Sequence, residues 1–483
     1  MNIYVVQRVL GVLLTIFSLT LLPPALVGWL YGDGAVTPFL LAFALTLTLG
    51  VLIWVPVMNF RREMRLRDGF VVTVLFWTVL GLFGALPFTL LPEAISLSPT
   101  DAVFESLSGL TTTGATFMVG LDTLPHAVLY YRQQLQWLGG MGIIVLAVAI
   151  LPMLGIGGMQ LYRAETPGPV KDTKLTPRIA ETAKALWYLY VGLTAACGVC
   201  YWLAGMTPFD ALAHAFSTVA IGGFSTHDAS IGFFQSAAVM AVAVVFMIVS
   251  GANFALHFIA VRQQSLRPYW ADAEFRAYLA VLATVTLITT GYLHFTHILE
   301  GQEVLLHGIF QAVSIATTTG FTTAEYFAWP GFLPVLLLLS SFIGGCATST
   351  AGGMKVIRIL LLYKQGKREI LRLVHPAAQV PVRIGSKVLP ERVVSAVWGF
   401  FALYIACFTV MMLVLMATGL DQITAFSAVA ACINNLGPGL GEASVNFAQI
   451  NAPAKWVLCF AMLLGRLEIF TLLVLLTPAF WRR

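Results

Sequence analysis

Charge is what this sequence has least of. Asp, Glu, Lys and Arg make up only 10% of its 483 residues, while 59% are hydrophobic and the mean hydropathy is +0.87. A soluble domain carries about 25% charged residues, so this chain cannot cover a water-facing surface and reads as an integral membrane protein. Cysteine is scarce too. Cys197, Cys200, Cys346, Cys407, Cys432 and Cys459 all lie in apolar or glycine-rich segments, without zinc-binding spacing. Cys197 and Cys200 form a C-x-x-C within a run of Gly, Ala and Val, where they read as small lipid-phase residues rather than a redox pair. H-E-x-x-H, a phosphate loop and a G-x-S-x-G elbow are missing from any credible setting, so nothing points to an enzyme. The first apolar segment has no small-residue cleavage site and runs on as a long span, so no secretory signal is expected.

What is present in quantity is apolar runs of spanning length, about 20 residues for a bilayer core of about 30 Å. They fall near 3–30, 37–58, 70–91, 134–153, 184–205, 233–260, 276–299, 332–362, 393–418 and 454–480. Between them lie shorter stretches near 101–113, 209–221, 304–319 and 422–434. These are too short to span and suit re-entrant half-helices.

Basic residues set the orientation. Arg61, Arg62, Arg65 and Arg67 lie in one connection; Arg163, Lys171, Lys174, Arg178 and Lys184 in or near another; Arg262, Arg267 and Arg276 mark a third. Lys355, Arg358, Lys364, Lys367, Arg368, Arg372, Arg383, Lys387 and Arg392 crowd a fourth, and Arg482 and Arg483 end the chain. The opposite connections carry almost none; Arg132 and Lys455 are expected at helix starts. By the positive-inside rule both termini are cytoplasmic. All four short stretches then fall on the outer side, a result not built into the hydropathy reading.

The chain therefore reads as a two-helix segment, 1–68, followed by four span–half-helix–turn–span units: 69–160, 161–262, 263–365 and 366–483. Their turns align as S108-G-L-T-T-T-G114, S217-T-V-A-I-G-G223, S314-I-A-T-T-T-G320 and A431-C-I-N-N-L-G437. Each ends on a glycine six residues after a small residue, and successive glycines lie 109, 97 and 117 residues apart. A period this long means copies of one supersecondary unit.

Non-helical backbone at membrane depth is tolerated only inside protein or facing water. Four such turns about one axis would present rings of backbone carbonyls, which can replace a cation's hydration shell. Glycine permits the φ > 0 that turns a carbonyl inward. Each half-helix would aim its partly negative C-terminal end at the pore centre. The expected cation ligands are mainly backbone carbonyls of Thr112, Thr113, Gly114, Ile221, Gly222, Gly223, Thr318, Thr319, Gly320, Asn435, Leu436 and Gly437. The competing reading is four loops that merely connect helices.

"TTTGAT", "AIGGFSTHD", "ATTTGFTTAEY" and "NNLGPGLGE", with the chain length and two extra N-terminal spans, resemble the Trk/Ktr/HKT superfamily of K+ transporters, its bacterial TrkH branch most. The resemblance covers essentially the whole chain. It implies a pseudo-fourfold all-α fold with one K+ filter per subunit, built on Gly114, Gly223, Gly320 and Gly437. Glycine rather than serine at 114 implies K+ selectivity, and the uneven second and fourth turns imply incomplete exclusion of Na+. It further implies K+ as the transported ion with no organic cofactor, a homodimer in the bacterial inner membrane, and a cytosolic nucleotide-binding subunit resembling TrkA on the basic loops. No nucleic acid is expected.

"GGCATSTAGG", residues 344–353, interrupts the run 332–362 with four glycines. Each glycine weakens a helix by about 1 kcal/mol relative to Ala. Gly344, Gly345, Cys346, Ala347, Thr348, Ser349, Thr350, Ala351, Gly352 and Gly353 read as a break in the helix that blocks the pore, or as a small-residue packing surface. The resemblance favours a gating intramembrane loop. Arg466 lies 11 residues past Lys455, about 16 Å along a helix. A charge at that depth is a functional candidate, or half of a structural ion pair. Glu468, two residues on, sits on the opposite face and is a poor partner for it. The resemblance places Arg466 in the pore beneath the filter.

His214, His227 and His307 read as half-helix surface residues. Asp101, Asp210 and Asp421 read as N-terminal caps, with a cation-attracting role compatible with capping. The function expected is K+ uptake through a gated, channel-like pore. A K+ symporter coupled to H+ or Na+ on the same fold remains open, as does a non-transporting scaffold or membrane enzyme.

Overall fold

The computed structural model describes residues 2–60, 64–149, 179–385 and 387–482. Arg61, Arg62, Arg163, Lys171, Lys174, Arg178, Arg483 and the expected boundary between 160 and 161 lie outside the described residues.

Two N-terminal arms come first. Ile3–Leu19 continues as Leu22–Tyr31, and Val36–Trp54 returns beside them. Small residues let the arms approach closely: a Cβ on Gly11 would stand 2.7 Å from Trp54 N, and one on Gly50 2.8 Å from Thr15 N. This is small-residue packing between lipid-facing helices.

Four units follow. The first is Leu66–Gly84 with Leu86–Thr89, the half-helix Pro99–Leu110, and His126–Ala149. The second is Ile179–Leu203, the half-helix Pro208–Ala220, and Ala237–Ser250 with Phe254–Gln263. The third is Ala273–Phe295, the half-helix Gln302–Ala316, and Leu333–Ser340 with Val356–Val374. The fourth is Glu391–Ala417, the half-helix Gln422–Ile433, and Ala452–Arg466 with Phe470–Leu476. Arg383–Ile384 and Lys387–Val388 pair as a short antiparallel ribbon. Among the described residues, six helices are long and apolar enough to cross a membrane, and two bent pairs meet the same test when joined. The architecture is thus an all-α membrane protein: two N-terminal spans, then four repeats in pseudo-fourfold order around one axis.

The half-helices bury their C-terminal ends, whereas Val36–Trp54 leaves Leu41, Leu45 and Leu52 exposed. Exposed leucine on a helix of spanning length is a lipid-facing surface.

Among the described residues, three of the long apolar runs break or turn sharply, where the sequence marks one. The run 332–362 breaks between Ser340 and Val356, in the glycine-rich segment. The run 233–260 bends by 94° after Ser250, where Asn253 restarts the helix by accepting from Ala255 N at 2.8 Å. The run 454–480 turns by 118° after Arg466, through Glu468 (φ 54°) and Ile469 (φ 53°). A left-handed isoleucine is disfavoured by its branched Cβ, so tertiary contacts hold this bend. Arg466 accordingly ends a helix rather than lying within a continuous span.

Candidate functional site

Three half-helices carry side-chain caps. Ser98 Oγ accepts from Asp101 N at 3.2 Å, Thr207 Oγ1 from Asp210 N at 3.1 Å, and Asp421 from Ile423 N and Thr424 N at 2.9 and 3.2 Å. Only Asp421 is itself the cap. Asp101 and Asp210 stand three residues further in and accept from the cap hydroxyls at 2.6 and 2.7 Å.

Each half-helix runs into its turn by the same backbone bond. The residue before the terminal glycine donates to the carbonyl of the small residue five positions earlier: Thr113 to Ser108, Gly222 to Ser217, Thr319 to Ser314 and Leu436 to Ala431, all at 2.8 Å. The backbone then repeats its signs of φ. Thr112, Ile221, Thr318 and Asn435 have φ of 56°, 53°, 66° and 52°, and the glycines two residues on have 80°, 82°, 82° and 101°. Alternating signs of φ bring successive carbonyls to one side of the chain, which an ordinary strand cannot do.

The turns close on one another. A Cβ on Gly114 would collide with Gly222 O, on Gly223 with Thr319 O, and on Gly320 with Leu436 O; on Gly437 it would stand 2.9 Å from Thr113 O. Each turn meets the next, and the fourth returns to the first. Twelve residues are thereby brought together, and none carries an ionisable side chain. Beside the ring opens a cavity of about 320 Å³ lined by all four glycines and by Arg132, His227, Asp228 and Glu325.

The segment 344–353 is bonded to the turns and to the helix ends beside them. Gly352 N donates to Thr318 Oγ1 at 2.7 Å, and Gly353 N to Asn434 O at 3.0 Å. Thr350 Oγ1 donates to Val219 O at 3.0 Å. Cys346 N donates to Gly251 O at 2.8 Å, and Thr348 Oγ1 to Asn253 Oδ1 at 2.5 Å. Gly344, Gly353 and Thr348 all have φ > 0. This is an irregular loop, and the small-residue packing helix is excluded for it. Arg466 joins loop and ring: Nη1 donates to Thr112 Oγ1 at 3.2 Å and Thr350 O at 3.4 Å, and Nη2 to Gly140 O at 3.2 Å and to Gly139 O. Glu468 instead holds Arg358 at 2.5 Å.

This arrangement matches known proteins along its whole length. A family model described as "TrkH: Cation transport protein" matches residues 36–483. The chain belongs to the TrkH family. It is 60% identical to the Trk system potassium uptake protein TrkH of Vibrio parahaemolyticus over 478 residues, covering 98% of each chain. To the Trk system potassium uptake protein TrkH of Escherichia coli it is 56% identical over 483 residues, covering all of both. The crystal structure of the potassium transporter TrkH from Vibrio parahaemolyticus superposes with a TM-score of 0.91 at 56% identity, covering all of both chains.

Several residues of this TrkH-family site escape a sequence reading. Glu105, buried on the first half-helix, accepts from Arg132 Nε at 2.8 Å, Phe117 N at 2.8 Å and Thr116 Oγ1 at 2.9 Å. Arg132 lies in the second turn of its helix rather than at its start, is buried, and donates to Ser225 O at 3.0 Å, linking the first two turns. Glu274 Oε1 accepts from Ala347 N at 2.6 Å and Ile357 N at 3.2 Å, tying the loop to the first turn of the helix that follows it. Charge in an apolar setting was the available signal, but not its partner.

His214 is not a surface residue. It is buried, with Nδ1 2.9 Å from Asp210 O and Nε2 2.9 Å from Ser225 Oγ. His227 lies beyond the half-helix, its ring 2.5 Å from Asp122 and 3.5 Å from Asp210. His227 and His307 are both partly open, and His307 is bonded to Thr323 Oγ1 at 2.9 Å.

Proposed function

We propose that the chain takes up K+ through a gated, channel-like pore whose selectivity filter is the ring of four turns. The observation that carries this is the closed ring itself: four turns of one backbone shape, neutral, each in contact with the next. Such a ring offers oxygen dipoles to a dehydrated cation without a carboxylate to trap it. Loop 344–353 and Arg466, bonded to it, serve as the gate. The relatives' names, potassium uptake proteins of a Trk system, support the ion and the direction. On the same reading the division into 1–68 and four repeats is the functional one, and the protein sits in the bacterial inner membrane with both termini cytoplasmic. It works as a homodimer with a cytosolic nucleotide-binding partner resembling TrkA. Rb+ flux into proteoliposomes holding the purified chain tests the conduction; absence of Rb+ flux with and without the partner would refute it.

Glu274 makes the gate testable apart from the filter. Losing its carboxylate leaves the N–H groups of Ala347 in the loop and Ile357 in the helix after it unpaired, each costing about 1–3 kcal/mol. Glu274→Ala should raise basal Rb+ flux by about fivefold or more and expose the buried Cys346 to a water-soluble thiol reagent. Glu274→Gln keeps an oxygen acceptor and should stay close to the parent. Unchanged flux and an unreactive Cys346 in the alanine variant would show that the loop is held elsewhere.

A further inference from the structure

Three of the four turns are braced by their own side chains. In the first, Thr111 and Thr113 hydroxyls lie 2.7 Å apart. In the third, Thr317 and Thr319 repeat this at 2.8 Å. In the fourth, Asn434 occupies the position of Thr111, and its side chain is bonded to Tyr404 at 2.5 Å and Ser341 at 3.1 Å. The second turn has Ala220 and Gly222 at these positions and no side-chain polar group at either. It also has two adjacent glycines, Gly222 and Gly223, the residues with most conformational freedom to lose.

Gln136 occupies the missing place. It comes from the His126–Ala149 helix of the first repeat and is fully buried. Its Nε2 donates to Gly222 O at 2.6 Å. Its Oε1 accepts from Ser217 Oγ at 2.6 Å and from Phe224 N at 3.1 Å. The partners fix the amide's orientation: a carbonyl must face the NH2 group, and a backbone N–H must face the oxygen. The three bonds grip the half-helix, the carbonyl before the filter glycine, and the residue after it. The fit also explains the glycine, because a Cβ on Gly222 would stand 2.8 Å from Gln136 Nε2 and closer still to its carboxamide carbon.

We infer that Gln136 is a selectivity-determining positioning residue, bracing the second turn from a neighbouring helix as the threonine pairs brace the first and third from within. It touches no ion; it fixes the carbonyl of Gly222, one of the ring's oxygens. The inference rests on the ring being the filter.

The test is the reversal potential under K+/Na+ gradients, measured on purified full-length protein in planar bilayers. Gln136→Leu removes all three bonds at similar volume and should lower the K+/Na+ permeability ratio roughly tenfold, the scale of one buried carbonyl left unsatisfied, while Rb+ flux persists. Gln136→Glu keeps the acceptor and loses only the donor to Gly222 O. It should lower the ratio too, and it carries the test if the leucine variant does not fold. Gly222→Ala should lower the ratio in the parent, where Gln136 fills the space, and be harmless in a Gln136→Ala background. Gly223→Ser is the control. If it and the same substitution at Gly114, Gly320 and Gly437 all leave the ratio unchanged, the filter assignment itself fails. If it lowers the ratio while Gln136→Leu and Gln136→Glu keep the parental value, or if Gly222→Ala is equally harmful in both backgrounds, Gln136 is not the brace and the inference is overturned.

Discussion

Gly114→Ser should strip most of the K+ over Na+ discrimination while leaving the protein inserted and folded. At φ 80° an L-residue is strained, by roughly 1–2 kcal/mol. The added Cβ also collides with Gly222 O on the adjacent turn. Neither can be relieved without moving a carbonyl of the ring, and about 1.4 kcal/mol is tenfold in an equilibrium ratio. We expect the permeability ratio to fall by about tenfold or more, read from reversal potentials in purified bilayers. Corresponding substitutions at Gly223, Gly320 and Gly437 should act in the same direction, since all four have φ > 0. Unchanged ratios at all four glycines would remove the filter from this ring.

Arg466→Ala should increase cation flux per folded molecule. The guanidinium spans three segments: Thr112 on the ring, Thr350 on the loop, and the carbonyls of Gly139 and Gly140. Its loss removes a fixed positive charge beside the ring. At 4 Å that charge repels a passing cation by about 4 kcal/mol with an effective dielectric of 20, and even about 1.4 kcal/mol is tenfold in rate. The loop also loses a tie to the ring. Read as a point charge, Arg466→Lys would keep most of the barrier. The observed bonding gives a different expectation: a single ammonium cannot reach acceptors on three segments as a planar fork does, so the lysine variant should conduct between parent and alanine. Rb+ uptake normalised to folded protein decides. A lower normalised flux in Arg466→Ala would end the barrier assignment and leave a structural role.

The half-helices were legible because their signals are local. Stretches 101–113, 209–221, 304–319 and 422–434 were too short to span, and the observed helices are Pro99–Leu110, Pro208–Ala220, Gln302–Ala316 and Gln422–Ile433. The glycine and the small residue six positions before it were equally visible, since one needs φ > 0 and the other accepts the bond that closes the turn. The bends after Ser250 and Arg466 were not visible, because hydropathy counts apolar residues and is blind to backbone sign. Nothing local marks Ile469 as left-handed. The supports of the ring were hidden for a related reason. Gln136, Glu105 and Glu274 find partners 86, 27 and 73 residues away, and no spacing in the chain encodes those meetings.

The four turns share one backbone bond at one length but are braced by different side chains: threonine pairs in two, Asn434 in another, and Gln136 from outside in the second. A ring assembled from four identical subunits would repeat any substitution at every quarter, because symmetry copies each residue. Here the quarters lie on one chain and can drift separately. Mutation can loosen or tighten a single quadrant while three others hold the aperture. Selectivity in such a ring is adjustable in small steps, and asymmetry becomes a heritable variable.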